Sequence, residues 1–316
     1  MLVAILLVAC STANGPGSGT SPAASFPSGQ SFPRLSSFST AYDRATRQLL
    51  LFGLTEADLK PMTWSWDGKA WNRLRPDQSA PGRGGSLAYD SATESLVLYG
   101  LTADGSSRTW EWKAGIWAER QPTTMPPSSY SFTLGDNEAG RNIIAFGGCC
   151  AQSLAPSQTW AWNGDDWKRL QPKTMPSDRY GVSLLYDRAI QKLVLFGGYE
   201  RGSGNQSNDL WTWDGSAWVR EYPTGVLPLE LANAAIGYDA VHRTIVLLAR
   251  SGKFDVGTWT WDGKEWTLRP SRTPPATVAY QMAWDDATQQ LVLFDEVSVV
   301  APQTWIWNGT DWERKG

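Results

Sequence analysis

The sequence predicts an all-β chain, a six-bladed β-propeller of four-stranded antiparallel blades, and three observations carry that reading. Composition is the first: 19 Trp, 30 Gly and 19 Pro in 316 residues join strand-forming aromatics to turn formers. The second is a phrase repeated six times: TWSWDGKAW from Thr63, TWEWKAGIW from Thr109, TWAWNGDDW from Thr159, LWTWDGSAW from Leu210, TWTWDGKEW from Thr258 and TWIWNGTDW from Thr304. Its first tryptophans are Trp64, Trp110, Trp160, Trp211, Trp259 and Trp305, so the period runs from 46 to 51 residues. The third is a landmark ahead of each phrase: Tyr42-Asp43, Tyr89-Asp90, Gly135-Asp136, Tyr186-Asp187, Tyr238-Asp239 and Trp284-Asp285.

Each unit resolves into four short strands. The first is a small-residue run up to the landmark, as in GSLAYD (85–90). A tight turn leads to a β-branched and aromatic second strand, as in SLVLYG (95–100). The third carries Trp-x-Trp, whose alternation sets both rings on one face. Asp-Gly or Asn-Gly then supplies the positive-φ residue of a hairpin turn. The fourth strand opens on the last Trp, as in WKRLQP (167–172), and runs into a Pro-rich link. One such sheet cannot bury both faces alone, whereas six stacked radially bury them against one another. The predicted blades are 37–82, 83–128, 129–178, 179–229, 230–276 and 277–316, within a propeller spanning 36–316. Side-chain packing alone, or a strand lent by residues 20–36, would close the ring.

The unit resembles the kelch repeat, found in the central domain of galactose oxidase. A Gly-Gly pair after the second strand, an aromatic third strand and a Trp opening the fourth carry the resemblance. LVLFGGYERGSGNQSNDLWTWDGSAW (193–218) matches best, and Gly147-Gly148 keeps the pair. Gly53-Leu54, Gly100-Leu101, Ala249-Arg250 and Asp295-Glu296 replace it elsewhere. Ahead of the repeats, MLVAILLVAC is too short an apolar run to span a bilayer and reads as part of an export signal. Leu7-Val8-Ala9-Cys10 resembles the bacterial lipobox, which implies a signal peptide over 1–9 and a lipidated Cys10. Residues 10–35, rich in Ser, Gly and Pro, would then be a tether. The expected location is outside the cytoplasm, on the periplasmic or cell-surface side, with the lipid as the only membrane contact.

A net charge of −3 with no basic run excludes nucleic acid and anionic membrane surfaces as electrostatic partners. Eighteen of the 19 Trp fall at the three repeated positions and Trp284 takes the aromatic place of a landmark. Such regularity suits packing between blades better than a ligand site.

Loop lengths point to the binding face. First-to-second and third-to-fourth turns are short and uniform, whereas second-to-third loops (GLTADGSSR, GGCCAQSLAPSQ, GGYERGSGNQSND) and fourth-to-first links vary. In a four-stranded meander the two variable classes share one face, and diverse loops on a rigid frame are where binding resides. The candidate binding residues there are Arg83, Arg179, Tyr180, Tyr199, Glu200 and Arg201.

No catalytic residue, metal site or cofactor is predicted, and the chain reads as a non-enzyme. Its one histidine, His242, falls in a short turn, and the copper chemistry of galactose oxidase needs two histidines. No His/Cys cluster has zinc spacing, and Asp104, Asp209 and Asp255 form no glycosidase pattern. Adjacent Cys149 and Cys150 leave a strained vicinal disulfide, two free thiols and a bond to another chain all open. The functional expectation is a monomeric, non-catalytic scaffold binding protein at the cell envelope through its loop-bearing face. A carbohydrate-binding propeller is the alternative, with a polysaccharide hydrolase or lyase third. The expected partner is therefore a protein or a glycan at the envelope.

Overall fold

The protein is described from a computed structural model, over residues 32–74, 84–129, 131–148, 156–229, 234–250, 256–271, 280–296 and 302–315. Cys10, Arg83, Cys149 and Cys150 lie outside these residues. Six four-stranded sheets follow one another along the chain, each made of four consecutive antiparallel strands. Blade 1 comprises Leu35–Asp43, Gln48–Thr55, Pro61–Trp66 and Trp71–Leu74. The first strands of blades 2 to 6 are Gly85–Asp90, Thr133–Asn137, Ser183–Asp187, Ala235–Asp239 and Tyr280–Asp285. First strands of neighbouring blades adjoin all the way round, blade 6 meeting blade 1. They ring a central axis, and the fourth strands form the rim. The chain is a six-bladed β-propeller, and among the described residues its one helical element is a single 3-10 turn, Glu138–Gly140. No helix among them is long and apolar enough to cross a membrane.

The core is divided among six seams between blades. At the seam of blades 1 and 2, for example, Leu50, Phe52 and Leu54 pack against Leu96, Leu98, Trp112 and Trp117. Each buried indole removes a large apolar area from water, and a buried N–H needs an acceptor. The last tryptophan of the phrase finds both, whereas Nε1 of Trp64, Trp66, Trp110, Trp112, Trp259, Trp261, Trp305 and Trp307 is buried without a hydrogen bond. Trp117 Nε1 donates to Thr63 Oγ1 of the preceding blade at 2.9 Å, and Trp167 does so to Thr109 at 2.8 Å. Trp218 and Thr159 (3.1 Å), Trp312 and Thr258 (2.9 Å), and Trp71 and Thr304 (3.0 Å) repeat the bond. Leu210 stands where the other phrases have threonine, so that position offers no hydroxyl to Trp266 of blade 5.

Among the described residues no blade is shared between the ends of the chain. Blade 6 meets blade 1 by packing, in a seam containing Phe32, Leu35, Leu51, Trp64, Trp71, Val292 and Phe294. Phe32 stacks on Trp64 with ring centroids 4.4 Å apart, and Leu35 N donates to Glu296 Oε1 at 3.1 Å. Phe32 and Leu35 were expected in the tether. Both are buried, because the seam needs apolar cover at its open end.

The landmark aspartates cap their turns. Asp43 Oδ1 accepts from the amides of Ala45 (3.0 Å) and Thr46 (3.3 Å). Asp239 accepts from Val241 and His242 in the same way, at 3.0 Å each. His242 Nδ1 also lies 2.7 Å from Asp239 Oδ2, taking the place of the Thr46 hydroxyl on Asp43. Blade 3 departs from the predicted alignment. Its first strand ends on Asn137, paired with Asn142, as Asp43 pairs with Gln48 and Asp90 with Ser95. Asn137 is therefore the cap position, and Asp136 takes the place that Tyr42, Tyr89, Tyr186, Tyr238 and Trp284 hold in the other blades.

Candidate functional site

Five of the six binding residues expected from the sequence come together on the loop-bearing face. The link from blade 3 and the second-to-third loop of blade 4 pair as a two-stranded ribbon, Arg179 opposite Glu200 and Tyr180 opposite Tyr199. Gly198 makes that approach feasible. Its φ is +106°, and a Cβ there would lie 3.0 Å from the Tyr180 carbonyl oxygen and 2.9 Å from Val182 Cγ1. Arg201 N donates to Asp178 O at 2.7 Å, and its guanidinium lies 3.7 Å from the Asp178 carboxylate. Ser157 ties the ribbon to blade 3: its amide donates to Asp178 Oδ1 at 2.9 Å, and its Oγ accepts from Arg179 N at 2.9 Å.

Arg179 is a brace under this surface, not a contact on it. The residue is 1% exposed. Its guanidinium makes a two-pronged pair with Asp209 and donates to Gly197 O at 3.2 Å and Ser177 Oγ at 2.7 Å. Burial pushes the Asp209 carboxyl up, but bonds from Arg179, Ser207 and Trp211 outweigh it and hold the group below the usual carboxylate range. The sequence reading took Arg179 for a surface contact because its link is long. The loop in fact folds back, and a planar guanidinium can satisfy several acceptors in a small buried space.

Above the brace, Tyr180 and Tyr199 stack with ring centroids 5.2 Å apart and planes 23° from parallel. Tyr180 is 39% exposed, and Tyr199 Oη accepts from Gln206 Nε2 at 3.0 Å. Held on a rigid base, the pair offers an aromatic face together with phenolic hydroxyls. Such groups anchor protein partners and also stack against sugar rings. Glu200 accepts from Ser177 Oγ at 3.2 Å beside them.

A second feature, which holds none of the binding residues expected from the sequence, lies on the ring axis. The six first strands enclose a central channel of about 660 Å³, within the range of small-molecule sites. Its mouth on the short-turn face is crossed by charged groups. Arg44 of blade 1 and Arg188 of blade 4 stand on opposite sides of the ring. Both reach Glu138 of blade 3, Arg44 through Nη2 and Arg188 through Nε at 2.9 Å. Arg188 Nη1 also lies 3.5 Å from Asp286 Oδ1 of blade 6, which accepts from Trp284 Nε1 at 2.7 Å. Asp136 sits beside this chain. Its Oδ1 accepts from Ser91 Oγ at 3.1 Å, and its Oδ2 is buried without a hydrogen bond, 3.7 Å from Arg44 Nη2. Burial, with Glu138 and Asp90 nearby, pushes the Asp136 carboxyl up to about 7 against the opposing pull of Arg44 and Ser91.

No cluster of His, Cys, Asp and Glu that could hold a metal occurs among the described residues. No family profile matches the sequence, and no curated protein matches it. Solved structures do. The chain is similar to the SapL1 lectin in complex with alpha methyl fucoside, at 15% identity over 90% of this chain and 95% of that one, with a TM-score of 0.58. It is similar to the fungal lectin from Aleuria aurantia, a six-bladed beta-propeller with a novel fucose recognition mode, at 13% identity, 89% and 94% coverage and a TM-score of 0.58. The structure of YjhT matches at 10% identity, 90% and 98% coverage and a TM-score of 0.62. At such identities the likeness establishes the fold alone.

Proposed function

We propose that the chain is a non-catalytic binding propeller that takes a protein partner on its loop-bearing face, with the Tyr180–Tyr199 pair as anchor. The observation that carries this reading is the ribbon. It draws Tyr180, Tyr199, Glu200 and Arg201 from two loops into one patch, and the buried pair of Arg179 with Asp209 fixes that patch from beneath. An exposed Tyr180 stacked on a half-buried Tyr199 fits the chemistry of interface hot spots. Export and anchoring through Cys10 belong to the same proposal, since they would present this face at the cell envelope. The intact mass of the mature chain reports the lipid.

A glycan ligand is the second reading. The stacked tyrosines favour it, as do two similar structures whose descriptions name fucose or a fucoside. The repeated tryptophans supply little support, because most of their rings are buried in the seams.

The test immobilises the full chain and passes over it an envelope extract from the source cell, half of it treated with protease. A protein partner predicts capture that proteolysis abolishes and that the double variant Tyr180→Ala, Tyr199→Ala lowers at least about tenfold, as loss of an anchor costing more than 1.4 kcal/mol would. The unfolding midpoint of that variant should stay near wild type. Capture that survives protease and still needs both tyrosines would transfer the site to a glycan. Capture indifferent to both tyrosines would remove the ribbon from the proposal.

A further inference from the structure

The charged chain across the channel mouth holds an imbalance. Two guanidiniums, Arg44 and Arg188, face three carboxyl groups, Asp136, Glu138 and Asp286. Blades 1 and 4 are opposite in the ring, as are blades 3 and 6, so the chain ties four blades together across the axis. Asp136 is the odd member. Every other blade places a tyrosine or tryptophan at its position, whereas blade 3 buries a carboxyl there with one oxygen lacking a donor. Arg44, which would answer that oxygen, is bonded to Glu138 and lies over the Tyr89 ring with its Cζ 5.1 Å from the centroid.

We propose that this cluster is a proton-operated latch on the short-turn mouth of the channel. With Asp136 protonated, two carboxylates balance two guanidiniums and the brace is shut. With Asp136 ionised, Arg44 is drawn between Asp136 and Glu138, an uncompensated anion stays buried, and the brace slackens. The reading is independent of the ribbon, which lies on the other face.

The groups facing Asp136 are Arg44 from blade 1, Asp90, Ser91 and Tyr89 from blade 2, Glu138 on its own turn, and Tyr186 from blade 4. Burial raises the folded-state value to about 7, above the ordinary carboxylate. The folded chain therefore holds a proton that the unfolded chain releases. Stability from this group is complete below the ordinary carboxylate range and is lost as pH rises through about 7. A latch built this way shuts in mild acid and loosens above neutrality.

His242, about half exposed on the same face, is the one histidine of the chain, so the test uses the His242→Gln background. The Trp284 indole N–H donates to Asp286 within the brace and reports on it by NMR. Its resonance is expected to move with a midpoint near 7, and the movement should vanish in Asp136→Asn. The denaturation midpoint should fall from about pH 6 to pH 8 in the background protein and change less in Asp136→Asn. Carboxyl-carbon titration of the unsubstituted Asp136 keeps the question answerable if the variant fails to fold. An indole resonance that stays still between about pH 5.5 and 8.5, one that moves equally in Asp136→Asn, or an Asp136 carbon titrating near the ordinary value would overturn the latch.

Discussion

Arg179 shows how a residue can matter to a surface without belonging to it. Its guanidinium is enclosed, and its partner Asp209 is held ionised by three donors. Breaking a buried pair from one side leaves the other charge unanswered, which costs about 3 to 5 kcal/mol. Asp209→Asn is accordingly expected to lose stability of about that size at neutral pH. The folded-state value of Asp209 is depressed, so its contribution is present above the ordinary carboxylate range and disappears as pH falls through the lowered value. The gap between wild type and variant should therefore close in acid. Denaturant titrations at neutral and strongly acidic pH check both statements, and a gap independent of pH would mean that shape, not charge, makes the contribution.

The element that repeats is a strand pair bonded across a seam. Threonine on the third strand of one blade receives the indole that opens the fourth strand of the next. Thr109→Val keeps the volume but leaves Trp167 Nε1 buried without an acceptor, at a cost of about 1 to 3 kcal/mol. Thermal or denaturant unfolding would measure it, and an unchanged midpoint would make the bond incidental. The tryptophan phrases were fully legible in the sequence, because period and alternation write strand and turn directly. Their threonines were equally visible in TWxW but were read past, since only the structure shows that the partner lies in a neighbouring blade.

The displaced landmark of blade 3 had a signal too. Each cap pairs with the residue that opens the second strand, and counting the same interval back from Asn142 lands on Asn137. Two adjacent polar residues, Asp136 and Asn137, hid the offset. Convergence of the ribbon residues depended on loops folding back, which no periodicity encodes. Arg179 was misplaced for the same reason.

At the scale of the whole molecule, the described residues close the ring without exchanging a strand between its ends. The terminal seam includes packing, the hydrogen bonds from Trp71 to Thr304 and from Leu35 to Glu296, the Arg34–Glu296 ion pair, and Phe32 wedged between Trp64 and Phe294. Removing a buried phenyl ring costs about 3 to 5 kcal/mol. Phe32→Ala is expected to lower stability by that order and to raise amide exchange first in the outer strands of blades 1 and 6. Exchange spread evenly over all six blades would show that the termini are no weaker than any other seam.

The direction of the seam bonds bears on the order in which the chain is made. In four of the five, the indole belongs to the later blade and its acceptor to the blade before. A chain leaving the ribosome folds from its N-terminal side, so each new blade finds its hydroxyl already in place. Trp71 alone looks forward, to Thr304, 233 residues on. Until the last blade is translated the molecule is an open arc, with one tryptophan face exposed at its start and a second travelling at its growing end. Those two faces are complementary within one chain and equally so between two, so chains crowded together before closure can pair with one another.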